Sequence, residues 1–131
     1  MKGAVASIGD MSQIDWAEAA AALEQQGCAL LPGLLTPAAC HAVITGWNGA
    51  EAFRSEVVMA RHGYGPGVYR YFRYPLPDAI AGLRTELYPP LAVIANRWAE
   101  TLGTDIDYPA DHAAFLARCH QAGQVRPTPL I

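Results

Sequence analysis

Four histidines, three cysteines and twelve carboxylates are the side chains in this sequence that could hold a metal or drive acid–base chemistry. A metal centre needs three or four such groups converging on one point. His41, His62, His112 and His120 contain no H-x-x-x-H pair, and no H-x-D or H-x-E occurs. The signature of a two-histidine, one-carboxylate iron site is therefore missing. Asp111 and His112 are neighbours, and neighbouring helical residues do not face one another. His112 and His120 lie two turns apart on one expected helix and could share a face, but no third ligand is evident. The plain reading is of histidines facing solvent. Cys28, Cys40 and Cys119 are odd in number and form no C-x-x-C pair, which reads as buried free thiols in a reducing, cytoplasmic setting. Cys40 sits beside His41 near a helix start, where the dipole could lower a thiol pKa. A small apolar thiol in a core is the commoner outcome. No catalytic residue and no metal ligand is nominated.

Gly63-x-Gly65-x-Gly67 is a weak likeness of a phosphate-binding loop, because no helix start follows it and the loop lysine is absent. A tight turn between two strands explains all three glycines. Residues 54–60 alternate around Val57, Val58 and Met59, and residues 68–74 are rich in strand formers. Alternation places Tyr69, Tyr71 and Arg73 on one face and Arg70, Phe72 and Tyr74 on the other. Pro75 and Pro77 end the run. In this two-stranded ribbon, Arg61, Tyr69, Arg70 and Arg73 are the candidate substrate-binding residues, since cations interleaved with aromatics can contact phosphates and stack on bases. The same pattern arises where arginine stems cover rings on an ordinary solvated strand. Regular alternation also puts Arg70 opposite Arg73, which counts against a single patch.

These residues need elements to position them. The chain has 131 residues, 52% hydrophobic and 16% charged, which suits one globular domain or part of one. Its net charge of −3 gives no global field to attract nucleic acid or an anionic membrane. No secretion signal opens it and no apolar run is long enough to span a bilayer. Residues 1–11 read as a loose tail. A helix capped by Ser12 or Asp15 runs to Gln26, with Gly27 as its stop. Residues 28–31 suggest a short buried strand and Pro32-Gly33 a turn. Thr36-Pro37 starts a second helix to Trp47, with Val43, Ile44 and Trp47 facing inward. After the ribbon, Ile80, Leu83, Leu87, Leu91, Ile94, Trp98 and Leu102 recur three or four apart as one buried helical stripe. Asp78 is placed to cap it, Gly103 to stop it, and Pro89-Pro90 to split or kink it. A last helix over 110–122 carries Phe115, Leu116 and Cys119 on one side. Residues 124–131 look extended. An apolar strand at 128–131 with no partner would be an open edge, and the sequence reads as the first part of something longer.

Residues 23–40, LEQQGCALLPGLLTPAAC, resemble the opening segment of Fe(II)/2-oxoglutarate-dependent dioxygenases. FRSEVVMARHGYGPGVYRYFRYPLP, LYPPLAVIANRW and FLARCHQAGQVRPTPL resemble, more specifically, a bacterial group of these enzymes described as acting on nucleic acid. The resemblance runs from about Ile14 to Ile131. It implies an α+β fold, mostly helical with a glycine-turn ribbon, that precedes a double-stranded β-helix absent from these residues; 124–131 would begin its first strand. It implies Fe(II) and 2-oxoglutarate as cofactors of the complete enzyme, a small-molecule cosubstrate and a nucleic-acid substrate. The family's iron ligands and 2-oxoglutarate anchor belong to the barrel, so none transfers to a position here. Taken alone, these residues are then expected to be inactive. Two rivals stand beside this reading: a non-catalytic module that docks a partner on the ribbon, and a nucleic-acid-binding module without catalysis.

Overall fold

The computed structural model describes residues 8–131. Most of the expected tail over 1–11 thus lies outside the described residues, but its last part is held in place. Ile8 makes an antiparallel bridge to Leu35, and the Gly9 amide donates to the Leu34 carbonyl at 2.7 Å. Ile8 also reaches α3 (Asp78–Leu102), where its side chain lies against Gly82. A Cβ on Gly82 would stand 2.7 Å from the Ile8 Cδ1.

The described residues form an α+β arrangement of four α-helices and one two-stranded antiparallel sheet. Helix α1 (Trp16–Gln26) starts where the Asp15 carboxylate accepts the Glu18 amide. In α2 (Pro37–Gly46), the Thr36 hydroxyl accepts the Ala39 amide and Pro37 fills the first turn. α4 (His112–Gln121) is capped by Asp111, which accepts from the Ala114 amide. Each cap satisfies an amide that the helix itself leaves free. α1 ends on Gly27 and α3 on Gly103, both in the left-handed region that a Cβ disfavours.

At α3, two local expectations give way. Asp78 is the first helical residue rather than the cap; Pro77 takes the cap position and makes no side-chain bond. The carboxylate then sits in the first turn, where it suits the helix dipole. The helix also continues through Pro89-Pro90 as one element. The carbonyls those prolines leave without donors belong to Thr85 and Glu86, both exposed, so water can satisfy them.

Strand β1 (Phe53–Val58) pairs antiparallel with β2 (Val68–Phe72). Phe53 faces Phe72, the register shifts at a bulge around Arg54, and Ser55, Glu56, Val57 and Val58 then face Tyr71, Arg70, Tyr69 and Val68. The turn between them is a short 3-10 segment, Met59–His62, closed by Gly63 at φ 75. The expected open strand at 128–131 is instead paired. The Arg70 amide donates to the Ile131 carbonyl at 2.8 Å, the Ile131 amide returns to the Arg70 carbonyl at 3.0 Å, and the Phe72 amide donates to Pro129 at 3.0 Å. β2 is therefore the middle of three extended segments, because its second edge also found a partner.

The core is small and built largely of alanine. Ala19, Ala20, Ala39, Ala92 and Ala99 are buried with Ile94, Phe53 and Phe72. Several apolar residues expected inside are outside. The 28–31 segment is not a strand, Cys28 is exposed and Leu30 is 85% exposed. Four apolar residues in a row can make a buried strand only with a neighbour to pair with, and β1 and β2 lie elsewhere. Cys40 and Ile44 are exposed too, since Ala39 supplies the buried contact of α2. The α3 stripe is one helix face as its spacing requires, yet of its residues Ile94 alone is buried, while Leu91, Trp98 and Leu102 are exposed.

α3 and α4 are tied by a polar and aromatic joint. Asn96 donates its side-chain amide to the Tyr108 carbonyl at 2.9 Å and accepts the Tyr108 amide at 2.7 Å. Tyr88 stacks on Phe115 at 5.3 Å between centroids, and its hydroxyl donates to the Pro109 carbonyl at 2.9 Å.

Candidate nucleic-acid interface

The two faces of the ribbon have different work. On one, Phe53 and Phe72 stack at 5.0 Å with Trp47 beside them, at 6.1 Å from Phe53. Arg70 covers this cluster. Its Cζ lies 4.3 Å from the Trp47 ring centre and 5.4 Å from that of Phe53. Its Nε donates to Glu56 at 2.7 Å and a terminal nitrogen donates to the Trp47 carbonyl at 2.7 Å. A planar guanidinium can stack and bond in its plane at once, which an ammonium cannot. Arg70 is thus mostly engaged within the fold.

The opposite face carries Tyr69 and Tyr71, edge to face at 5.7 Å. The bulge brings Arg54 to them: its Cζ stands 4.5 Å from the Tyr71 ring centre, and its Nε donates to the Pro127 carbonyl at 3.0 Å. Leu130, bridged to Tyr71 and half exposed, extends this surface. Arg73 closes the far end of the ribbon, with its amide on Ala52 and its Nε on the Phe53 carbonyl at 3.0 Å. Arg61 lies exposed on the turn at the other end.

Of the four residues nominated from sequence, Tyr69 stands on the tyrosine face, Arg70 on the opposite face, and Arg61 and Arg73 at the two ends. No two of them form a hydrogen bond or a ring contact with one another. Arg54 was missed. Its contact with Tyr71 depends on the bulge and its anchor on Pro127, and neither leaves a mark in local sequence.

Among the described residues, no three His, Cys, Asp or Glu side chains converge to hold a metal ion. His112 packs edge-on against Tyr88 at 5.6 Å. Burial holds its pKa below the usual imidazole value, the Arg84 charge pushes the same way, and Asp111 opposes them. Burial raises the Tyr88 hydroxyl above the ordinary phenol range, against the pull of Arg118. A groove of about 570 Å³ lies between α1 and the loop after it, lined in part by Asp10, Asp15 and Glu18. Asp10 and Asp15 are occupied there as helix caps, so the groove offers no free carboxylate pair for acid–base work. No helix among the described residues is long and apolar enough to cross a membrane.

No solved structure matches this chain. An uncharacterized protein of Mycobacterium tuberculosis, found in strain CDC 1551 and again in strain H37Rv, is 42% identical over 60 residues. That similarity covers 46% of this chain and 26% of each relative, so the matched part is about a quarter of the length of these curated proteins. Residues 67–131, which take in β2, α3, α4 and the paired C-terminal segment, match the family Oxygenase-NA, described as an oxygenase catalysing oxidative methylation of damaged DNA.

Proposed function

We propose that these residues form the helical support and ribbon of an Fe(II)/2-oxoglutarate-dependent dioxygenase that acts on nucleic acid. The observation that carries this reading is the oxygenase family match over 67–131, which takes in β2, α3, α4 and the C-terminal segment paired with β2. The complete protein would couple oxidative decarboxylation of 2-oxoglutarate to hydroxylation or demethylation of a second substrate. Among the described residues no three His, Cys, Asp or Glu side chains converge to hold an iron. No step of that chemistry is therefore assigned to them, and the double-stranded β-helix would supply it.

The part these residues play is mechanical. Arg70 locks β2 to the Trp47–Phe53 cluster, and β2 in turn holds the 129–131 segment in antiparallel register. An antiparallel segment offers its outer edge to a following strand.

The test is anaerobic purification of the 131-residue chain and of a longer gene product that contains it, followed by addition of Fe(II) and 2-oxoglutarate. Succinate is expected from the longer form and not, above a no-protein control, from the shorter one. Succinate from the 131-residue chain overturns the division of roles. Succinate from neither overturns the oxygenase reading.

A further inference from the structure

The tip of the ribbon is built differently from its two faces. The Met59 amide donates to the Gly67 carbonyl at 2.9 Å and closes a loop. Inside it, the Tyr64 amide donates to the Met59 carbonyl at 3.2 Å and the Gly63 amide to the Ala60 carbonyl at 3.3 Å. The Met59 side chain lies against Gly67, where a Cβ would stand 2.9 Å from its sulfur. The loop is held, yet Tyr64 within it is 74% exposed. Arg61 and His62 precede it in the same loop and are exposed too. The guanidinium groups that cover rings lie elsewhere, Arg54 on Tyr71 and Arg70 on Trp47 and Phe53. Among the described residues the ion pairs engage Arg70 and Arg97, and leave Arg61 free. A lone exposed ring is ordinary, but its setting is not. Residues 57–77 hold three arginines and no carboxylate, while the rest of the sequence holds six cations against twelve carboxylates, a net −6.

We infer that this tip is a contact for single-stranded nucleic acid, in which Tyr64 stacks on an unpaired base and Arg61 meets a neighbouring phosphate. The inference rests on the nucleic-acid part of the proposed function, and names a site in a loop that lies almost wholly before the 67–131 family match. An uncovered ring can take the π-face of any base, and a duplex keeps those faces hidden. Because the loop is already closed, docking a base orders little beyond the Tyr64 side chain. Arg61 is the cation of this stretch that can follow the strand, since Arg70 is committed to Glu56 and Trp47 and Arg73 to the Phe53 carbonyl. The acidic remainder of the chain repels a phosphate backbone, which confines the contact to the tip.

The probe is a fluorescein-labelled thymidine dodecamer, followed by fluorescence anisotropy from low salt upward, with the matching duplex as a second probe. The 131-residue chain is expected to bind the single strand more tightly than the duplex. Tyr64→Leu keeps an apolar side chain but removes the π-face, and should weaken binding about tenfold. Tyr64→Phe keeps the ring and should bind like the parent. Both variants should unfold in urea as the parent does, because the side chain is exposed. Arg61→Gln should reduce the steepness of log affinity against log salt by roughly 0.7, the value for one phosphate on a single strand. Equal affinity for Tyr64→Leu and Tyr64→Phe overturns the contact, as does a preference for duplex. Absence of single-strand binding at low salt overturns it as well, and succinate formation by the longer protein would then leave the oxygenase reading standing.

Discussion

Arg70 shows how one residue type serves opposite ends at two positions in the same strand pair. Its guanidinium stacks on Trp47 and Phe53 and donates in plane to Glu56 and to the Trp47 carbonyl. Arg70→Leu should cost about 2 kcal/mol, chiefly through the charged hydrogen bonds and the lost stacking. Arg70→Lys should recover only the attraction to Glu56 and so remain near the leucine variant. Urea unfolding followed by tryptophan fluorescence measures both; an unchanged midpoint in Arg70→Leu would mean the contacts are not stabilising. His112 makes a different prediction. Its pKa in the folded chain lies below the ordinary 6.5, with burial as the main cause. The unfolded chain therefore binds its proton more readily than the folded one. The contribution is fully present above about pH 6.5 and is lost as pH falls through the lower, folded value. The urea midpoint should drop as pH falls below about 6.5 and do so less in His112→Gln. A parallel drop in both proteins would assign the effect to other groups.

At the scale of elements, the joint between α3 and α4 is held by side-chain hydrogen bonds as well as by apolar packing. Asn96 pairs both backbone polar groups of Tyr108, which would otherwise lie part-buried without partners. Asn96→Ala should cost about 1–3 kcal/mol, and Asn96→Asp somewhat less because it keeps the acceptor for the Tyr108 amide. Amide exchange offers a local readout. Tyr108 should lose protection in the alanine variant while Arg70 and Phe72, bonded to the C-terminal segment, keep theirs. Equal losses at all three would mean that the joint stabilises the whole structure and not one corner of it. α3 also shows how a strong pattern can be read correctly and still mislead. The spacing of Ile80, Leu83, Leu87, Leu91, Ile94 and Trp98 makes a single helix face, but neighbours cover only part of it.

The whole molecule exposes more surface than its mass accounts for. The accessible area is 9226 Å², against roughly 6,700 Å² for a compact monomer of 14.0 kDa. Leu30, Val93, Leu102 and Ile106 are each more than half exposed, and Leu91 and Trp98 more than a third. We propose that a larger protein covers these apolar side chains. The isolated 131-residue chain should therefore enhance the fluorescence of an apolar dye such as ANS while still showing cooperative unfolding. A longer gene product should enhance it less per molecule. Equal dye binding by both forms would show that this surface stays open in the larger protein.

What the sequence by itself determined is local. Asp15 and Thr36 cap their helices, Gly27 and Gly103 stop theirs, and a glycine-rich turn joins two strands whose alternation was legible. Each of these depends on groups within a few residues of one another, so the chain carries the instruction wherever it lies. Tertiary structure decided which faces are covered, that alanines rather than leucines are the buried residues, and that the C-terminal segment pairs with β2. It also decided how the arginines of the ribbon are placed. Arg54 reaches Pro127 across 73 positions of sequence, and a one-residue bulge brings it over Tyr71, while the nominated Arg70 turns to the opposite face. Such contacts depend on where distant segments come to rest, and local spacing holds no record of that.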